Sequence, residues 1–85
     1  MLGAITGNTM LPFNIELIDG TSLKTVGDAA AYLSKLSEES RSLTHWTVAI
    51  RMMDHAVKEP TYLRVATMSL HSAVLLDGNL LSNPV

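Results

Sequence analysis

Residues 43–58 read LTHWTVAIRMMDHAVK, and this stretch decides the architecture. At roughly 100° per residue, Thr47, Arg51, Asp54 and Lys58 share one narrow polar strip. Leu43, Trp46, Ile50, Met53 and Val57 form a main apolar stripe at heptad-like spacing. Val48 and Met52 form a second apolar patch, flanked by His45 and His55. A helix on a small globule buries one stripe about 100° wide. Here apolar side chains cover about twice that arc, so the spacing predicts a helix that packs on two sides.

The segments before this helix read as a hairpin and a first helix. Phe13, Ile15 and Leu17 alternate with Asn14, Glu16 and Ile18, the pattern of a half-buried strand. Asp19-Gly20 signals a turn, and Ser22–Thr25 a second strand. A two-residue loop would put Leu23 on the face opposite Leu17. A three-residue loop, Asp19-Gly20-Thr21, pairs Leu17 with Leu23 and keeps one apolar face intact, so it is the expected register. Thr25 then caps a helix with Asp28 as its capping-box partner. Its stripe is Val26, Ala29, Ala30, Leu33 and Leu36, with Tyr32 at the margin and an end near Ser37. An isolated hairpin is marginal, so this helix should cover its apolar face. SEESRS, residues 37–42, reads either as a polar connection or as the first turns of the long helix with Ser37 as N-cap.

Downstream, Pro60 fits the first turn of a third helix, Pro60–Leu76. Its main stripe is Tyr62, Leu63, Ala66, Leu70, Ala73 and Val74. Arg64, Thr67 and His71 form its polar side, and Met68 and Leu75 a weaker apolar edge. Asp77-Gly78-Asn79 is a stop signal. The expected fold is therefore α+β, an N-terminal β-hairpin followed by three helices (ββααα). Residues 12–78 form the domain, 1–11 a flexible N-terminal tail, and 79–85 a C-terminal tail that is frayed or packs on a neighbour.

Composition narrows the function classes. Eighty-five residues make one domain, and one of this size is marginal alone. The chain has no cysteine, which fits a reducing compartment. Apolar residues make up 47% and charged residues only 16%, with mean hydropathy +0.24. That apolar excess in a small globule points to self-association. The six Lys and Arg residues are scattered, at 24, 35, 41, 51, 58 and 64, so nucleic acid is not an expected partner. No apolar run approaches the ~20 residues of a membrane span. MLGAITGNTMLPF has no positive n-region, so it does not read as a signal peptide, and a cytoplasmic location is expected.

Reactive constellations are missing from the pattern. His45 and His55 are ten residues apart on one helix, about 15 Å, too far to share an ion within one chain. Asp54-His55 lacks a nucleophile elbow or an oxyanion loop to accompany it. Glu38-Glu39 is best explained as the solvated start of a helix. Gly20, Gly27 and Gly78 are isolated, so no phosphate-cradling loop is present. Neither an enzyme nor a bound cofactor or metal is expected. The leading expectation is a homodimeric interaction module, with Val48, Met52, His45 and Ala49 at the interface. The alternative is a small-ligand sensor with a pocket between hairpin and helices, lined by Tyr32, Trp46, Met53 and Tyr62. Trp46 reads first as a core or interface anchor.

Pro12-Phe13, Ile15, Leu17, Val26, Ala29-Ala30, Leu33, His45-Trp46, Ala49 and Ala56 form a wider pattern over residues 12–76. In this the chain resembles a family of short alphaproteobacterial proteins classed as a domain of unknown function. Leu36-Ser37 stands where that family commonly has Trp-Pro, and Trp46 where it usually has a basic residue. The resemblance implies a bacterial protein and brings no activity or functional residue with it.

Overall fold

Alternation of apolar and polar residues places β1 (Met10–Glu16) against β2 (Ser22–Thr25) as an antiparallel hairpin. The computed structural model describes residues 5–81. Leu11, Ile15, Leu17 and Leu23 are buried on one face, with Phe13 half-buried beside them. The loop has three residues, as the apolar pattern requires, but they are Ile18-Asp19-Gly20 rather than Asp19-Gly20-Thr21. Ile15 pairs with Leu23, Glu16 with Ser22, and the Leu17 N–H donates to the Thr21 carbonyl at 2.8 Å. The cause is the left-handed residue that closes such a loop. Gly20, at φ 93°, takes that last position, which would otherwise fall on Thr21. Asp19 Oδ1 accepts from the Thr21 N–H at 2.8 Å and fixes the turn. At the turn end the register differs from expectation by two residues, an even number, so Ile15, Leu17 and Leu23 keep one face, and a bulge shifts the pairing toward Met10, which meets Thr25.

α1 (Val26–Ser34) starts on the expected capping box. Thr25 Oγ1 accepts from the Asp28 N–H, and the Asp28 carboxylate accepts from the Thr25 N–H. Residues 37–42 belong to neither neighbour. They form α2 (Glu38–Arg41), one turn capped by Ser37, whose Arg41 guanidinium donates back to the Ser34 carbonyl at 3.0 Å. The α-helices among the described residues thus number four, and α3 (Thr44–Lys58) begins after a separate turn. Pro60–Tyr62 is a single 3-10 turn that leads into α4 (Leu63–Leu76).

α3 and α4 pack against each other along their whole length, and this pair is the largest contact in the domain. The buried positions of α3 are Trp46, Ala49, Met53 and Ala56, not the expected Leu43, Ile50 and Val57. The seam is built on alanines. Ala49 and Ala56 on α3, with Ala66 and Ala73 on α4, are all fully buried. Small side chains let two helix backbones approach closely. The branched residues are displaced to the flanks, where Val57 is exposed and Ile50 half-buried.

α4 also covers β1. This overturns the expected polar side of that helix: Thr67 is fully buried, with its hydroxyl donating to the Leu63 carbonyl at 2.7 Å. His71 is half-buried and sets its ring edge-on to Phe13 at 5.8 Å. Only Arg64 of the three stays exposed.

Both expected tails take part in the fold where they are described. The Gly27 N–H donates to the Gly7 carbonyl at 2.9 Å and the Val26 N–H to the Thr9 carbonyl at 2.8 Å, tying residues 7–9 to the start of α1. A Cβ on residue 27 would stand 2.9 Å from the Gly7 oxygen, so this approach needs glycine there. At the other end, Leu17 and Leu80 form an antiparallel bridge, flanked by bonds from Ile18 to Asn79 and from Leu81 to Glu16. Residues 79–81 therefore pack on their own chain. Residues 1–4 and 82–85 lie outside the described part. Among the described residues, no helix is long and apolar enough to cross a membrane.

Candidate functional site

The flank of α3 that carries His45, Val48 and Met52 is separated from the buried stripe by less than a quarter turn. On α4, the matching side carries Val65, Met68, Ser69 and Ser72, again at helical spacing. Because the alanine seam draws the helices together, the two flanks meet in one shallow groove of about 410 Å³. It is lined by His45, Val48, Val65, Met68, Ser69 and Ser72. Val48 is 43% exposed, Val65 46% and Met68 53%. No residue lining this groove is Lys, Arg, Asp or Glu, in a chain that is 16% charged.

Of the four residues expected at an interface, the fold brings Val48, His45 and Met52 to one side of α3, with Met52 half-buried against the core. Ala49 is corrected: it is fully buried in the α3–α4 seam and cannot reach a partner. Val65 of α4 was not anticipated at this surface. Its position on the same helix side as Met68 was available from the spacing, but not which side of α4 would stay uncovered.

At one end of the groove lies an interaction the sequence pattern did not suggest. Asp77, which read as part of a helix stop, accepts from Trp46 Nε1 through Oδ2 and bonds His45 Nε2 through Oδ1, both at 2.8 Å. A carboxylate only accepts, so the His45 Nε2 carries the proton. Burial by itself pushes the Asp77 carboxyl up, but the bonds from Trp46 and His45 and the charge of His45 outweigh it and hold the group below its ordinary 3.8. A buried tryptophan needs an acceptor for its N–H. An antiparallel helix pair turning at residues 59–60 puts the end of α4 beside the start of α3, and that was the available signal.

An Asp–His pair can serve as a base, but a nucleophile must stand within hydrogen-bond reach of the imidazole. Ser69 and Ser72 line the same groove, and among the described residues no hydroxyl bonds His45. Among these residues there is also no group of three His, Asp or Glu side chains placed to hold a metal ion.

The four expected pocket residues do not converge. Tyr32 and Trp46 are neighbours, with ring centroids 5.8 Å apart. Only Tyr32 opens onto a cleft of about 510 Å³ between the hairpin turn, α1 and the end of α4, beside Asp19, Lys35, Asp77 and Asn79. Trp46 is fully buried behind it. Met53 lies two turns further along α3, in a separate groove against α1. Tyr62 sits at the far end of α3, packed edge-on to His55 at 4.4 Å. Burial, together with the charges of Asp77 and Asp19, raises the Tyr32 phenol above 10, against a smaller opposing effect of the neighbouring Asn79. The carboxylates of the cleft serve the fold: Asp19 holds the turn, Asp28 caps α1 and Asp77 ties α3 to α4.

Comparison of the chain with protein-family models, with curated proteins and with solved structures gives no match.

Proposed function

We propose that this protein is a non-enzymatic interaction module that pairs with a second copy of itself through the α3–α4 groove. The observation that carries this reading is the uncharged apolar groove running across two helices. Two copies meeting there bring no like charges together, although each chain carries a net −2. A two-fold axis uses the same patch twice, so Val48 and Met68 of each copy would face the other. The pair of helix flanks spans roughly 20 Å by 20 Å. A stable interface needs about 800 Å² from each partner, about one seventh of the 5585 Å² surface of this chain. The flanks cover about 400 Å² in projection, short of that figure, so the pair is expected to be weak, with a micromolar or higher Kd. A cytoplasmic site of action accords with the lack of cysteine, and membership of the short alphaproteobacterial family stays part of this proposal.

Size-exclusion chromatography with light scattering at tens of micromolar should give twice the chain mass of 9.2 kDa. Val48→Glu and Met68→Glu each place a charge in the patch, and each should raise the dimer Kd by about 100-fold or more while the fold, read by circular dichroism, persists. A dimer indifferent to both substitutions would refute this surface.

The second reading is a small-ligand sensor, and the cleft beside Tyr32 favours it. Its volume lies within the ~300–1,000 Å³ of ligand pockets. Trp46, hydrogen-bonded to the Asp77 that lines the cleft, should report an occupant as a saturable change in fluorescence. Flat titrations across a panel of metabolites would remove this reading.

A further inference from the structure

The alanine seam draws α3 onto α4, while α1 packs on β2, and a gap is left between α1 and α3. It forms a groove of about 250 Å³ with an apolar floor. Val26 and Leu33 of α1 and Met53 of α3 are buried there, and Ile50 and Val57 of α3 line it beside them. At the Ile50 end it runs into a hollow of about 380 Å³, bounded by Arg41 of α2 and by Thr47, Arg51 and Asp54 of α3. Arg41, Ile50 and Asp54 line both, so the two make one continuous surface. It shares no residue with the α3–α4 groove or with the cleft beside Tyr32. We propose that this surface binds a small amphiphile with an anionic head, a medium-chain carboxylate. Its head would sit on Arg41 and Arg51, and its alkyl chain along Ile50 to Val57.

Charge selects the head. The chain carries a net −2, yet the hollow holds two guanidinium groups against the single carboxylate of Asp54. Neither arginine is spent on an ion pair: among the described residues the one salt bridge joins His45 and Asp77. Arg41 is held in place by its Nη2, which donates to the Leu33 and Ser34 carbonyls at 3.4 and 3.0 Å. Its other guanidinium donors are left for a ligand, and a guanidinium fork matches a carboxylate. Asp54 reduces the local excess to one positive charge, so the head sets orientation and the chain supplies most of the affinity.

Shape selects the tail. Ile50 and Val57 are seven residues apart, about 10 Å along the helix. An extended chain of about eight carbons, with bonds of ~1.5 Å, covers that distance. A partner helix is ~10 Å wide and does not enter a groove of 250 Å³, whereas a single alkyl chain does. Val57, 47% exposed at the far end, would be covered by the last carbons.

A heteronuclear NMR titration with sodium octanoate, kept below micelle formation, tests the site. Saturable shifts are expected along Ile50–Val57 and the facing side of α1, with a Kd on the order of 1 mM or tighter. Shortening the chain to hexanoate should raise the Kd about two- to fourfold for each CH₂ removed. Octylammonium should bind at least about tenfold more weakly than octanoate. Arg51→Gln should raise the octanoate Kd about three- to tenfold. Val57→Glu should raise it at least about tenfold. Both residues are exposed, so the fold should persist, as circular dichroism can check. Absence of saturation at about 10 mM octanoate, octylammonium binding as tightly as octanoate, or a Kd unmoved by either substitution overturns the site. Sedimentation with anionic vesicles and no saturation by octanoate also overturns it, and assigns the arginines to a membrane surface instead.

Discussion

Trp46→Ala should lower the stability of the domain by about 3–5 kcal/mol, the largest effect of any single substitution considered. Trp46 is fully buried and leads the side chains of the core in size. It touches three structural layers: α3 carries it, Tyr32 of α1 packs on its ring, and Asp77 at the end of α4 takes its N–H. Alanine removes the ring and leaves a cavity that the rigid alanine seam beside it cannot collapse to fill. A domain of this size is held by only about 4–12 kcal/mol in total, so the variant should be largely unfolded by 37 °C. Urea denaturation followed by circular dichroism at 222 nm measures the loss. Trp46→Phe keeps most of the volume and drops only the N–H, so it should fall well short of the alanine value. A loss under 1 kcal/mol for Trp46→Ala would mean that the ring is not the centre of the core.

Asp77→Ala should cost about 2–3 kcal/mol, because it strands a buried Trp46 N–H and frees His45. Asp77→Asn keeps an acceptor for Trp46 and should cost less. Acid offers a second check with a definite sign. In the fold the Asp77 carboxyl titrates below its ordinary 3.8. The unfolded chain therefore takes up this proton first, and stability rises with pH in that window. The contribution is complete above 3.8 and is lost as pH falls through the folded value beneath it. The stability gap between wild type and Asp77→Asn should narrow as pH falls below 3.8. A gap that does not narrow there would show that the carboxylate charge is not what Asp77 contributes. Because His45 also lines the groove, Asp77→Ala is further expected to weaken self-association, which Asp77→Asn should affect less.

The hairpin and the caps were legible because their causes are local. The parity of Phe13, Ile15, Leu17 and Leu23 sets the buried face, and Thr25 with Asp28 sets the start of α1. The two-residue offset in register came from backbone conformation, since glycine had to occupy the left-handed end of the turn. The buried stripe of α3 differs from the expected one because large side chains dominate any hydrophobic pattern, whereas Ala49 and Ala56 win the buried positions through closeness of approach. Thr67 illustrates the same limit. Its hydroxyl is satisfied by a carbonyl of its own helix, so the residue can be buried while still reading as polar.

Residues 43–58 by themselves determined that α3 is a helix with apolar residues on two sides and charge on one. Periodicity fixes which side chains share a face, and it needs nothing beyond the chain. Only the tertiary structure decided which of those faces is covered. α4 takes the alanine side, a groove separates the Ile50–Val57 side from α1, and Val48 stands beside Met68 in the open. It also decided that Asp77 meets His45 and Trp46, partners 32 and 31 residues away in the chain. Such a meeting depends on how closely and at what stagger two helices pack, which is a property of the pair and is not written in either helix alone.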